Sequence, residues 1–332
     1  MCAHDRPNEE AQRSMTEKRQ VKTAFVFPGQ GSQSVGMLAE LAQNFPVVGE
    51  TFTQASEVLG YDLLALCQDG PEATLNQTEY TQPALLTAGI AVWRVWQERG
   101  GETPVCLAGH SLGEYTALVC AGALEFNDAV ALVAARGRFM QEAVPQGAGA
   151  MAAVSGLDDD AVIKVCADAA QGDVVAAANF NFPGQVVIAG ATAAVARATE
   201  LAQAAGARRV TPLPVSVPSH CALMQPAAAR LQQRVNAITF KPAAIPIVQN
   251  VDAKAHTDPE ELKQALVLQL HQSVLWSKCV QAMQQRGVTR MIECGPGKVL
   301  SGLLRRIDRN ITCTSIGEMA AMETALAAQD AN

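Results

Sequence analysis

Residues 105–118 read V-C-L-A-G-H-S-L-G-E-Y-T-A-L: an apolar run, a sharp turn carrying Ser111, and the start of a helix. This is the strand, elbow and helix order that presents a serine at the top of an α/β sheet, and it points to acyl chemistry on that serine. The flanking Gly109 and Gly113 belong to the same reading, because a turn that forces the serine into a strained conformation brings neighbouring chain too close for side chains there. Ser111 then stands at a helix N-terminus. The amide of Leu112 points at any oxygen that becomes negative as the hydroxyl attacks a carbonyl, and the helix dipole favours that charge.

Composition agrees with a large α/β domain. The chain has 332 residues, 49% hydrophobic and 17% charged, enough to bury a substantial core. Aromatics make up only 5%, and Ala, Val and Leu dominate, which suits helices packed closely on a parallel sheet. One large domain with an insertion, or two domains, is expected. No run of 18 apolar residues occurs, so no membrane span is expected. Residues 1–20 are polar, lack the apolar centre of a secretory signal and are expected as a disordered tail, with Met15 an alternative start. Nine cysteines, an odd number with no C-x-x-C pair, indicate a reducing cytoplasm and neither a disulfide framework nor a zinc site.

Moving outward from the elbow, short apolar strands alternate with helical periodicity. Residues 23–27 form a buried strand that ends in the turn P-G-Q-G-S-Q; helices are expected at 82–98, 112–123 and 129–144. From about residue 147 the texture changes to strand 151–154, helix 158–170, strands 174–179 and 186–189, helix 192–206 and strand 208–213. That order is β-α-β-β-α-β, a ferredoxin-like unit. The expectation is an α/β-hydrolase-like core at 21–146 and 214–320, a ferredoxin-like subdomain at 147–213, and a C-terminal tail at 321–332. A helix at 222–236 and strands near 245–249 and 290–293 complete the core.

A serine hydroxyl needs a base at neutral pH, and histidine is the usual one. Of the five histidines, His4 lies in the tail, His110 is adjacent to the serine with its side chain expected to point away, His256 follows a polar loop, and His271 sits on a helix edge. His220 is the best candidate, because P-V-S-V-P-S-H places it on a loop where the inserted unit ends, from which it can reach over the sheet. A satisfied structural histidine is the alternative for that position.

With these residues in view the chain resembles the malonyl-CoA:acyl-carrier-protein transacylases of bacterial fatty acid synthesis. The matching motifs run in order: F-P-G-Q-G-S-Q at 27–33, G-H-S-L-G-E-Y at 109–115, R-G-R-F-M at 136–140, V-P-S-H-C-A-L-M at 217–224, Q-N-V-D at 249–252 and E-C-G-P-G-K-V-L at 293–300. The resemblance covers residues 21–317 and implies the same core and inserted unit. It makes Ser111 the nucleophile that takes the malonyl group from coenzyme A, and His220 its general base and later acid. Gln269 matches the position whose backbone carbonyl orients the histidine, so no acidic triad member is required. The amides of Gln30 and Leu112 become the oxyanion hole.

Under the same resemblance Arg136 selects the substrate class. A malonyl thioester carries a free carboxylate, which a guanidinium matches with two parallel donors. An acetyl group would leave the buried arginine unpaired at a cost of about 2–5 kcal/mol. Discrimination against methylmalonyl is then steric and weaker, about 1–3 kcal/mol for a methyl group. No resident cofactor or metal is implied; the coenzyme A thioester is substrate.

Charge supplies the partner. The formal net charge of −7 argues against nucleic-acid binding, yet residues 205–310 hold 14 Lys or Arg against 6 Asp or Glu. Acyl carrier protein is acidic and coenzyme A polyanionic, so Arg208, Arg209, Lys298, Arg305 and Arg306 are candidate docking residues. The enzyme is expected as a monomer. G-P-G-K at 295–298 is not a phosphate loop, since Ile292 stands where the first glycine should be and Val299 where Ser or Thr should follow. The alternative activity is a serine hydrolase or thioesterase, which shares the elbow but calls for an Asp or Glu after the serine as its third member.

Overall fold

In a computed structural model of the chain, residues 21–215 and 217–330 are described, so the expected N-terminal tail lies outside them. The fold is α/β. A six-stranded sheet takes its strands in the spatial order Thr312–Ser315, Arg290–Glu293, Thr23–Phe27, Cys106–Gly109, Ile247–Val248 and Ala255–His256, and a separate four-stranded sheet in the order Val175–Phe182, Gln185–Ala191, Gly149–Ser155 and Arg209–Pro212.

The larger sheet begins with β1 (Thr23–Phe27), every residue of which is buried. Four helices follow, α1 (Ala39–Asn44), α2 (Pro46–Leu59), α3 (Leu63–Asp69) and α4 (Glu72–Leu75), before α5 (Thr78–Glu98). α5 buries residues around its whole circumference, as a helix in the middle of a core must. Its Trp93 and Trp96 meet Phe25 of β1 edge-on, with centroids 5.2 Å apart in each pair. The elbow strand is β2 (Cys106–Gly109), followed by α6 (Gly113–Cys120) and α7 (Phe126–Ala143). β1 and β2 pair in parallel with Phe27 opposite Gly109, which sets the Gly-rich turn after β1 beside the elbow after β2. In open parallel sheets the carboxyl ends of the strands are where ligands bind.

The second sheet is built from β3 (Gly149–Ser155), α8 (Asp159–Ala170), β4 (Val175–Phe182), β5 (Gln185–Ala191), α9 (Thr192–Ala204) and β6 (Arg209–Pro212). All its pairings are antiparallel. Both helices pack on one face, where Val162, Val165, Ala194 and Ala198 meet Val154, Val186 and Ile188. The opposite face, with Met151, Ala178 and Val187, packs on Cys221 of the core. A backbone hydrogen bond from Phe180 to the carbonyl of Val274 ties β4 to the larger unit.

The chain then returns through α10 (Gln225–Asn236), the antiparallel pair β7 (Ile247–Val248) and β8 (Ala255–His256), α11 (Pro259–Gln269) and α12 (Trp276–Gln285). β9 (Arg290–Glu293), α13 (Val299–Ile307), β10 (Thr312–Ser315) and α14 (Met319–Asp330) complete it. The turn at 295–298 joins β9 to α13, where the carboxylate of buried Glu293 accepts from the amides of Leu300 and Ser301 and caps the helix.

Two expectations change. Residues 321–330 are not a tail: they belong to α14, and Met322, Ala325 and Leu326 are buried in the main core. α5 starts four residues earlier than expected, at Thr78, and continues through Pro83. The Thr81 hydroxyl donates to the carbonyls of Leu75 and Gln77 at the point where the proline would otherwise suggest a boundary.

Candidate active site

The elbow has the crowding its glycines announce. A Cβ at Gly109 would lie 1.9 Å from the carbonyl carbon of Gly113, and one at Gly113 would lie 2.0 Å from the carbonyl oxygen of Phe27. Gly29, in the turn after β1, packs against the His110 carbonyl, which a Cβ would approach to 2.5 Å. Ser111 itself sits at φ 52°, a left-handed conformation that costs a non-glycine residue about 1–3 kcal/mol and persists only where surrounding contacts enforce it.

His220 completes a dyad. Its Nε2 lies 2.8 Å from Ser111 Oγ and its Nδ1 2.7 Å from the carbonyl oxygen of Gln269. A carbonyl can only accept, so Nδ1 carries the proton and Nε2 offers its lone pair to the serine hydroxyl. Among the described residues the partner behind the histidine is this carbonyl and not the carboxylate that the hydrolase alternative calls for. His220 is also left-handed, at φ 62°, and its amide donates to the Leu270 carbonyl. Burial, followed by the nearby Arg136 charge, pushes its pKa down to about 3, against the pull of the Gln269 hydrogen bond. The imidazole is therefore neutral and ready to accept a proton at pH 7.

Arg136 is 1% exposed although it carries a charge. Its Nη1 donates to Gln82 Oε1 at 2.9 Å; its Nη2 donates to Gln269 Oε1 at 2.9 Å and to Ser111 Oγ at 3.2 Å. The guanidinium carbon lies 5.3 Å from the centroid of the Tyr115 ring. A guanidinium 3.2 Å from the Ser111 hydroxyl is within reach of any short acyl group that this serine could carry. Gln269 thus serves both partners, the histidine through its backbone and the arginine through its side chain. Beneath them lies Glu114, fully buried, whose pKa burial raises to about 8, partly offset by the Asn250 amide and the Arg136 charge.

These groups open into a cavity of about 230 Å³ whose floor includes Gln30, Ser111, Leu112, Arg136 and His220. Among the described residues the amides of Gln30 and Leu112 donate to no protein acceptor. The far wall comes from the four-stranded unit: Met151, Asn179, Asn181 and Val187, with Leu213 and Val215 just beyond it. α13 supplies Val299, Leu300 and Leu303 at one side.

The histidine beside Ser111 differs from expectation. His110 does not point away; it lines the cavity, its Nε2 3.0 Å from Asn181 Oδ1 and its ring 5.5 Å from that of Trp276. The elbow thereby holds the inserted unit in place. His256, by contrast, lies between Asp252 and Glu261 at 2.8 Å from each.

The candidate docking residues fall on two elements. Arg208 and Arg209 are exposed at β6, the edge of the smaller sheet, whereas Lys298, Arg305 and Arg306 are exposed at the ends of α13 beside the cavity. Lys298 pairs with Glu318, and Arg306 lies over the Phe182 ring at 5.9 Å.

Four residues that matter here carry no role in the sequence reading: Gln82, Glu114, Asn181 and Asn250. Glu114 and Asn250 lie inside quoted motifs, but the Glu114 carboxylate meets the Asn250 backbone amide only in the fold. Asn179 and Asn181 alternate along an otherwise apolar strand, which was the available signal that one edge of it faces a polar site. No group of three or more His, Cys, Asp or Glu arranged for a metal ion occurs among the described residues.

Fold and site together are those of an acyltransferase, and the sequence profile of the acyl transferase domain matches residues 24–330. A malonyl CoA-acyl carrier protein transacylase of Salmonella typhimurium is 58% identical over 91% of this chain and 98% of its own length. The Bacillus subtilis enzyme of the same name is 44% identical over 92% and 96%. Among solved structures, an acyl carrier protein S-malonyltransferase from Vibrio cholerae superposes with TM-score 0.90 at 57% identity, covering 91% of this chain and 99% of that one. A malonyl-transacylase in complex with a type II polyketide acyl-carrier protein gives TM-score 0.91 at 53% identity, with 92% and 99% covered. The chain belongs to the family of malonyl CoA-acyl carrier protein transacylases.

Proposed function

We propose that this protein transfers the malonyl group from malonyl-CoA to the phosphopantetheine thiol of holo acyl carrier protein, through a malonyl ester on Ser111, and so supplies fatty acid chain elongation. The observation that carries this reading is the Arg136 guanidinium buried within hydrogen-bonding distance of a serine already paired with His220.

In the first half-reaction Ser111 Oγ attacks the thioester carbonyl while His220 Nε2 takes its proton. The new oxyanion meets the amides of Gln30 and Leu112. Collapse breaks the carbon–sulfur bond, and the imidazolium returns its proton to the departing coenzyme A thiolate. In the second half-reaction His220 takes the proton of the carrier thiol, whose sulfur attacks the malonyl ester; collapse returns the proton to Ser111. Arg136 holds the free malonyl carboxylate throughout, offsetting the charge that depresses the basicity of His220.

The finer architecture fits the same reading. The strand order β4-β5-β3-β6, with two helices on one face, supports a ferredoxin-like subdomain near residues 147–213 set into an α/β-hydrolase-like core. The exposed arginines of α13, beside the cavity mouth, support docking of an acidic carrier protein, with Arg208 and Arg209 as a second contact. No resident cofactor is needed for either half-reaction. The catalytic set lies within one chain, in keeping with a monomer, and the eight described cysteines are all free, in keeping with a reducing cytoplasm. Among the described residues no helix is long and apolar enough to cross a membrane.

The test is a transfer assay with holo carrier protein and either malonyl-CoA or acetyl-CoA, read by the mass of the carrier product. Malonyl-carrier is expected in large excess over acetyl-carrier. Equal transfer of both would remove Arg136 from its role, and release of free malonate with no carrier product would favour the hydrolase.

A further inference from the structure

The strained nucleophile is held by a buried clasp that lies outside the Ser111–His220 pair. Asn250, on the turn after β7, is fully buried and bridges the elbow: its Oδ1 accepts from the Ser111 amide at 2.8 Å, and its Nδ2 donates to the Gly109 carbonyl at 2.7 Å. The two ends of one amide side chain thus grip the backbone on either side of His110. Asn250 is itself fixed by Glu114, whose Oε2 accepts from the Asn250 amide at 2.9 Å. Glu114 stands in the first turn of α6, three residues past the serine, so the bonds form a closed ring from elbow to helix to β7 turn and back. Gln269 Nε2 closes the other side, donating to the Ser111 carbonyl at 2.8 Å.

An acid and an amide buried this deeply are retained at a cost unless their bonds do something an apolar pair could not. Here the two shortest bonds Asn250 makes through its side chain end on the backbone that sets the direction of Ser111 Oγ, and a longer one, 3.5 Å, comes from Gln269 Nε2. We propose that Asn250, anchored by Glu114, is a positioning residue for the acyl-transfer reaction. It keeps Ser111 in its left-handed conformation with Oγ directed at His220 Nε2. This rests on the assignment of Ser111 and His220 above, and it adds to their pair a part supplied by the Q-N-V-D and G-H-S-L-G-E segments.

The consequence is a loss of rate with little loss of binding, because neither side chain is needed to hold the acyl group or the thioester. A misplacement of about 1 Å at a nucleophile costs about 10²-fold. Two reactions of Ser111 separate the clasp from the substrate assignment: malonyl-serine formation from malonyl-CoA, and phosphonylation by a fluorophosphonate, each timed by intact mass. Asn250→Ala is expected to slow both by about 10²-fold, with the malonyl-CoA KM within about threefold of wild type. Glu114→Ala is expected to slow both by about tenfold, and Glu114→Gln to recover most of that, since its amide oxygen still accepts from the Asn250 backbone.

Wild-type rates in Asn250→Ala, or a Glu114→Gln protein as slow as Glu114→Ala, would overturn the clasp. Should Asn250→Ala fail to melt cooperatively, Asn250→Asp decides: it keeps the acceptor for Ser111 and loses the donor to Gly109, so an intermediate rate is expected and an unchanged one refutes the proposal. A wild-type protein that is phosphonylated but takes no malonyl group would sink the substrate assignment and leave the phosphonylation series to judge the clasp.

Discussion

The floor and the far wall of the cavity are built on opposite principles. The floor, from the six-stranded unit and its helices, is polar, buried and bonded: Arg136, His220, Asn250 and Gln269 are at most 4% exposed, and each is fixed by named partners. The wall, from the four-stranded unit, sets apolar Met151 and Val187 beside Asn179 and Asn181, and among the described residues its one side-chain bond to the elbow is that of Asn181 to His110. Directional bonds hold reacting atoms within tenths of an ångström, which proton transfer and carboxylate recognition demand. Apolar contacts tolerate adjustment and exclude by bulk. Under the proposed function the floor sets the reaction and the charge of the acyl group, and the wall sets how large a group fits.

Substitutions should respect that division. The largest effect belongs to Ser111→Ala, expected to lower transfer by about 10⁴-fold or more while leaving the fold intact, checked by steady-state assay and thermal melting. Next is Arg136→Ala, expected to cost malonyl transfer about 2–5 kcal/mol and to spare acetyl transfer by comparison, so that the malonyl-to-acetyl ratio of kcat/KM collapses. Arg136→Lys should recover only part of this, since an ammonium cannot offer the paired donors.

The pH dependence sharpens the account of the floor. With the free His220 held near pKa 3 by burial and by Arg136, the base stays unprotonated far below its ordinary range. The acid limb of kcat/KM should lie well below pH 6, and a limb at the ordinary histidine value near 6.5 would contradict the buried, arginine-flanked base. The sign for stability is the same: the unfolded chain binds a proton at this histidine below about pH 6.5 and the folded chain does not until about pH 3. His220 therefore lowers stability progressively as pH falls through that window.

Effects in the wall should be smaller. Asn181→Ala removes the bond to His110 and should raise KM for malonyl-CoA about tenfold with kcat nearly kept, the reverse of the pattern expected for Asn250→Ala. Smallest is charge reversal at Arg305 and Arg306, expected to raise the KM for carrier protein a few-fold at low salt and to have little effect at high salt, with malonyl-serine formation untouched.

How much of this was readable from the chain follows the same line. The elbow was legible because its glycines answer a purely local demand for space, and β9 was legible because its R-M-I-E run stops just before a Gly-Pro-Gly turn. The β-α-β-β-α-β order emerged from periodicity alone. Arg136 required the chemistry of a dicarboxylic thioester, since a sequence shows only an arginine on a half-apolar helix. Glu114 and Asn250 were not legible: an acid in the first turn of a helix looks like a partner for the helix dipole, and an asparagine in the loop of a short hairpin looks like a turn former. Their meaning depends on a contact spanning 136 residues. His110 was misjudged for the same reason, because its partner Asn181 comes from the inserted unit. α14 escaped notice because its alanines run all round the helix and mark no single apolar face, so Met322, Ala325 and Leu326 stand out only against the core that receives them.

The central claim is that Ser111 carries the acyl group between two thiols. The direct measurement is the intact mass of the protein after brief exposure to malonyl-CoA, then again after adding holo carrier protein, with Ser111→Ala in parallel. The account predicts one malonyl adduct on the wild-type protein, mapped to the peptide containing Ser111, discharged rapidly by carrier protein and absent from the alanine variant. An adduct that persists in Ser111→Ala, or one that water discharges as fast as carrier protein does, would contradict it.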